Sequence, residues 1–115
     1  MRISKSSSSK PSRQPLEKTI VQQIVKALKE QGVSWCIKTH GGPFQAAGIP
    51  DILAIAPMTG RLLGIEVKRP RVGRLTALQA AQIEKINGSG GVAGVATSVD
   101  EAISLLREAN RSVNR

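Results

Sequence analysis

Asp51, Glu66 and Lys68 are the residues of this 115-residue chain whose types and spacing could do chemistry. The apolar runs Ile52 to Ala56 and Leu62 to Val67 flank Pro57, Met58, Thr59 and Gly60, a turn signal that predicts a hairpin. With Met58 and Thr59 as the central turn residues, Pro57 faces Gly60, and the same register puts Asp51 opposite Glu66. Directly opposed residues on an antiparallel pair have Cβ atoms about 4.5 to 5.5 Å apart. Two carboxylates held that close repel unless a proton or a cation lies between them. Lys68, two residues beyond Glu66, falls on the same face of its strand. Two hard oxygen ligands, completed by water and a substrate phosphate, suit Mg²⁺. Such an ion polarises a phosphodiester and lowers the pKa of an attacking water, and a neighbouring ammonium can orient that water or stabilise transition-state charge. The blander reading is a strand-end acid and a surface Glu–Lys pair, and a one-residue slip of register would break the constellation.

Positioning these three side chains requires a sheet and something to hold it. Ile20, Val21, Ile24, Val25 and Leu28 recur at helical spacing between Pro15 and Gln31, and Gly32 supplies the stop. Val33 to Thr39 reads as a strand with Val33, Trp35 and Ile37 on one face, followed by a glycine-bearing loop from His40 to Gly48. Beyond the hairpin, Arg69 to Arg74 is a basic loop and Leu75 to Asn87 a second helix carrying Leu78, Ile83 and Ile86. Gly91 to Thr97 is a strand, and Val99 to Ala109 a closing helix with Ile103, Leu105 and Leu106. The order α-β-β-β-α-β-α predicts an α/β fold, a small mixed β-sheet flanked by helices, with a parallel crossover through the second helix. Residues 1–14 hold four serines in a row, four cations and no acid, and are expected to be a disordered basic tail, either holding phosphates or merely solubilising. Residues 111–115 form a short basic C-terminal tail.

Composition narrows the partners. Seventeen Lys and Arg against eight Asp and Glu give a net charge of +9, a field that concentrates polyanions and favours nucleic acid. One Trp, one Phe and no Tyr exclude a single-strand reader built on several stacked aromatic platforms. No apolar run approaches the roughly 20 residues that span a bilayer, and no secretory signal opens the chain, so no membrane partner is expected. One cysteine forms no internal disulfide, which fits an intracellular location.

Gly48-Ile49-Pro50-Asp51 followed by Glu66-Val67-Lys68 resembles the signature of the PD-(D/E)xK nuclease superfamily. Pro15-Leu16-Glu17, Gly48-Ile49-Pro50-Asp51-Ile52, Glu66-Val67-Lys68-Arg69-Pro70 and Gly73-Arg74-Leu75-Thr76 with Gln79 together resemble the VRR-NUC family, the virus-type replication and repair nucleases. Gly90-Gly91-Val92-Ala93 and Ser98-Val99-Asp100-Glu101-Ala102 fit the same pattern. The resemblance covers residues 15 to 107 and is to the stand-alone, phage-type form. It implies a restriction-endonuclease-like core over residues 15–110 and Mg²⁺- or Mn²⁺-dependent endonucleolytic hydrolysis of DNA phosphodiesters. It also implies homodimers acting on branched DNA such as Holliday junctions, in the host cytoplasm if phage-encoded.

Carried onto this sequence, the resemblance makes Asp51, Glu66 and the Val67 carbonyl metal ligands, Lys68 the catalytic lysine, Glu17 a helix-borne acid near the metal and Gln79 the glutamine that follows the core motif. Glu17 shares the azimuth of the apolar stripe of its helix, where it needs a partner, although an acid is also favoured in a first helical turn by the macrodipole. Gln79 likewise shares an apolar helix face, yet Thr76 and Gln79 also have the spacing of a capping box. Lys38, Arg69, Arg71 and Arg74 surround the expected site and suit contacts to the DNA backbone without sequence readout, whereas Arg61 falls at the far end of the hairpin. His40 is unassigned, Cys36 reads as a packed thiol and Trp35 as core. The competing class is a non-catalytic basic module that binds nucleic acid through charge alone. Against it stands the acid pair, which would weaken affinity in the most phosphate-attracting part of the chain.

Overall fold

The computed structural model describes residues 13–39 and 47–113. The expected N-terminal tail up to residue 12, the loop segment 40–46 with His40, and the last two residues lie outside this range. The elements are α1 (Arg13–Glu30), β1 (Cys36–Lys38), β2 (Ile52–Ile55), β3 (Leu62–Val67), α2 (Ala77–Gly88), β4 (Val92–Ala96) and α3 (Val99–Ala109). This is the α-β-β-β-α-β-α order read from the sequence, with α1 starting two residues before Pro15. The four strands form one mixed sheet in the order β1-β2-β3-β4, antiparallel except for the β3–β4 pair.

The hairpin register is the expected one. Ile52 pairs with Ile65, Leu53 with Gly64, Ala54 with Leu63 and Ile55 with Leu62. The turn itself is wider than a two-residue one. The Ala56 N–H donates to the Arg61 carbonyl and the Gly60 N–H to the Ala56 carbonyl, with Gly60 at φ 80°. One residue is added on each side of the turn, so the pairing beyond it is unchanged.

The pleat sorts β3 cleanly. Leu63, Ile65 and Val67 are fully buried against α1 and α3, where Ile24, Leu28, Ala102 and Leu106 complete the core. Each of these Leu, Ile and Val side chains contributes roughly 1.5–3 kcal/mol on burial. Gly64 and Glu66 face the other way, toward α2, whose Ile86 meets the bare Gly64 backbone. α2 packs on β3 and β4.

Two sequence expectations change here. Val33 is buried, but Trp35 and Ile37 are 46% and 43% exposed. Only residues 36–38 form the strand, and Cys36 pairs with the buried Ala54 and packs against the core, so alternation turns its two neighbours outward. Trp35 and Ile37 thereby fall on the α2 side of the sheet, beyond the reach of that helix. The second change is in α2, where Leu78 is 59% exposed and no residue is fully buried. The half-buried stripe is Gln79, Gln82, Ile83 and Ile86, one position along from Leu78.

Arg61 ties the far end of the hairpin to α3. Its guanidinium donates to the carbonyls of Gly90 (2.8 Å), Glu108 (3.2 Å) and Arg111 (2.8 Å), and Thr59 Oγ1 donates to the Ala109 carbonyl at 2.6 Å. The Glu108 and Ala109 carbonyls lie at the end of α3, where Glu108 also accepts the Arg111 N–H at 3.1 Å, so this cation is engaged in the fold.

Candidate active site

Glu66 is the buried charged residue of the described chain, 2% exposed, near the end of β3 on the face covered by α2. One step beyond the Ile52–Ile65 pair, the register brings Asp51 opposite it. Asp51 is held by the partner strand: its Oδ2 accepts from the Val67 N–H at 2.9 Å. Its segment is latched from both sides. Thr39 donates its hydroxyl to the Pro50 carbonyl (2.7 Å) and its N–H to the Asp51 carbonyl (2.9 Å). Gly48, at φ 84°, lies so close to α2 that a Cβ there would stand 2.5 Å from the Leu78 carbonyl oxygen.

The two oxygens of Glu66 have different environments. Oε2 accepts from Gln79 Nε2 at 2.8 Å and lies 3.4 Å from Lys68 Nζ. Oε1 is buried without a hydrogen-bond partner. Burial, and then the charge of Asp51, push the Glu66 carboxyl up to about 7, against the opposing pull of Lys68. A buried carboxylate oxygen without a donor, next to a second carboxylate, is costly as it stands. A divalent cation relieves both the repulsion and the missing partner, and hard carboxylate oxygens are the ligands Mg²⁺ and Mn²⁺ prefer. The residues present fit such an ion.

Gln79 makes both the helix cap and a contact with Glu66. Its Oε1 accepts from the Thr76 N–H at 2.9 Å while Thr76 Oγ1 accepts from the Gln79 N–H at 3.1 Å, a complete capping box at the start of α2. Its Nε2 remains free for Glu66, so the helix cap also aims the amide at the acid. Lys68 is half-buried, its side chain 15% exposed. Val67 enters through its N–H, given to Asp51.

The remaining candidates divide. Arg69 is half-buried, and Arg71 and Arg74 are exposed on the loop that follows Lys68. Lys38 is exposed at the end of β1, but it pairs with Ile52 and so lies on the sheet face opposite Glu66. Glu17 is half-buried on α1, and no group of three or more His, Cys, Asp and Glu side chains comes together among the described residues. Glu17 is therefore not gathered with Asp51 and Glu66. Burial pushes the Cys36 thiol up. Thr39 was missed from the sequence, and Gly48, although part of the quoted motif, gave no sign of its approach to α2, because a strand-end threonine and a loop glycine carry no signal of what they will touch.

A family model describing the VRR-NUC domain matches residues 9–100. Among solved structures, a chain described as a VRR_NUC domain protein is similar, with a TM-score of 0.52 at 20% sequence identity, covering 88% of this chain and 89% of that one. At that identity the likeness bears on the fold. No curated protein sequence matches the chain. No helix among the described residues is long and apolar enough to cross a membrane.

Proposed function

The chain belongs to the VRR-NUC domain family, a nuclease family, and from that premise we propose that it is a Mg²⁺- or Mn²⁺-dependent endodeoxyribonuclease with Asp51, Glu66 and Lys68 at its centre. The observation that carries this reading is the orphaned Oε1 of Glu66, buried beside Asp51. Asp51, Glu66 and the Val67 carbonyl would hold the ion. Bound there, the ion supplies Lewis-acid polarisation of the scissile phosphate and acidifies an attacking water.

The side chains do the rest. Gln79 occupies Oε2 of Glu66, which directs Oε1 to the ligand position. Asp51, fixed through Oδ2 by the Val67 N–H, keeps its other oxygen for the same purpose. The Lys68 ammonium, 3.4 Å from Glu66 Oε2, is placed to hold the attacking water or to stabilise charge on the phosphate as the P–O bond forms. Arg69, Arg71 and Arg74 give the DNA backbone its contacts beside this centre, and Lys38 serves only DNA that passes the sheet edge.

The substrate in this reading is branched DNA such as a Holliday junction, cut inside the cell by a homodimer, since symmetric incision of two strands calls for two related sites. The test is cleavage of a labelled four-way junction, a matched linear duplex and a single strand, each with Mg²⁺, Mn²⁺ or EDTA, alongside the mass of the protein in solution. Metal-dependent cutting of the junction by a dimer is expected. Cutting of linear DNA alone would retain the chemistry and remove the junction. Binding without cutting under any metal would return the chain to the class of basic binding modules, which its net charge of +9 also suits.

A further inference from the structure

The basic loop after β3 turns back on itself. The Arg69 carbonyl accepts from the N–H groups of both Val72 (3.4 Å) and Gly73 (3.2 Å), and Arg71 adopts φ 70° within the turn. The return leg brings the Gly73 backbone onto the aliphatic stem of Lys68. A Cβ placed on Gly73 would lie 2.7 Å from Lys68 Cβ, 2.9 Å from Cδ and 3.1 Å from Cγ. Gly73 has no left-handed backbone to explain its lack of a side chain. What excludes one is the lysine, and it does so at the root of the stem, where rotamer change gives no relief.

We propose that Gly73 is the positioning residue for Lys68: the backbone of the arginine-bearing loop fences the lysine stem and so sets its ammonium beside Glu66. The inference rests on the reading of Lys68 as the catalytic lysine. A lysine stem is long and flexible, and left unfenced it would spread its ammonium over many positions. The same loop carries Arg69, Arg71 and Arg74, so the element offered to the DNA backbone is also the one that holds the lysine in place.

The experiment compares Gly73→Ala with Gly88→Ala, a control glycine of ordinary backbone conformation where an added Cβ would meet no atom within 4 Å. Two readouts are taken: single-turnover cleavage with DNA affinity measured beside it, and the rate at which an amine-reactive reagent labels Lys68, scored by mass spectrometry against the exposed Lys85. Gly73→Ala is expected to slow cleavage at least tenfold with DNA affinity within twofold, and to speed Lys68 labelling severalfold with Lys85 unchanged. In a Lys68→Ala background the same change is expected to add little further loss. A glycine inserted between Val72 and Gly73 lengthens the loop without a new Cβ, and is expected to reproduce the faster labelling even if Gly73→Ala folds poorly. Wild-type labelling and cleavage rates in both loop variants would overturn the proposal, as would an equal further loss in the Lys68→Ala background. Full activity of Lys68→Ala itself would instead overturn the catalytic reading of the lysine, leaving the labelling arm to judge the fence.

Discussion

Gln79 donates from Nε2 to Glu66 Oε2 at 2.8 Å while its Oε1 accepts the Thr76 N–H at 2.9 Å, so one side chain both starts α2 and orients the buried acid. The helix terminus and the site share a residue, and substitutions can pull the two apart. Gln79→Ala removes both contacts and is expected to lower stability by about 1 kcal/mol, the usual worth of a cap, and to slow cleavage at least tenfold. Gln79→Glu keeps an acceptor for Thr76 but sets a carboxylate against Glu66. It is expected to melt below wild type at pH 8 and to recover toward it at pH 5, where the facing carboxyls share a proton, while losing as much activity, as read by thermal melts and single-turnover cleavage.

Glu66 makes the metal-free protein pH-sensitive. Its carboxyl is raised from 4.5 to about 7 in the folded state, so the folded form holds the proton more tightly than the unfolded one. The contribution to stability is therefore greatest below about pH 4.5 and is lost as pH rises to 7. Glu66→Gln removes that loss. Without metal, the variant is expected to melt higher than wild type at pH 8, by an amount on the order of 2 kcal/mol, with a smaller gap at pH 5. Excess Mn²⁺ is expected to raise the wild-type melting temperature at pH 8 and leave the variant nearly unmoved. Equal melting at both pH values would contradict the assignment.

The latch on the Pro50-Asp51 segment is local and polar. Thr39→Val keeps the shape of the side chain and deletes the hydroxyl that donates to the Pro50 carbonyl. A loss of about 1 kcal/mol in denaturant unfolding is expected, with slower cleavage than that loss of stability explains. Gly48→Ala drives a Cβ into the Leu78 backbone at a left-handed φ and is expected to be more severe on both counts.

Arg61 gives the opposite pattern. Arg61→Ala removes the guanidinium from the carbonyls of Gly90, Glu108 and Arg111, of which Glu108 keeps the Arg111 N–H. Stability is expected to fall by about 2 kcal/mol in denaturant unfolding, while DNA affinity and cleavage at a permissive temperature stay near wild type. A marked loss of DNA affinity in the folded variant would show that this cation faces the substrate.

Much of this arrangement was legible in the sequence because two short-range rules carry it. The turn between Ala56 and Arg61 and the period of two along each strand were enough to place Asp51 opposite Glu66 and Lys68 beside it. Even a wrong turn length left the register intact, since the loop grew equally on both sides. What the sequence did not reveal depended on which face each element covers. Trp35 read as core by alternation with Val33, but β1 begins only at Cys36 and α2 stops short of this sheet edge. Leu78 and Gln79 both read as inward, but only Gln79 turns in, toward Glu66, while Leu78 is left exposed. The Thr39–Pro50 contact joins two segments across the fold, and the Gly73–Lys68 contact depends on how the loop after β3 turns back, so no hydrophobic period marks either.

Asp51, Glu66 and Lys68 must work together as a cleavage centre if the chain is a nuclease of this kind. The most direct measurement takes whichever DNA the wild-type protein cuts and records single-turnover cleavage in Mg²⁺ and DNA affinity in EDTA for Asp51→Ala, Glu66→Ala and Lys68→Ala. Cleavage is expected to fall at least a hundredfold in all three. DNA affinity is expected to hold or tighten in the two acid variants, because each removes a negative charge from a basic surface. Variants that cut like wild type, or a wild-type protein that binds DNA and leaves it whole in every metal, would contradict the assignment of this centre.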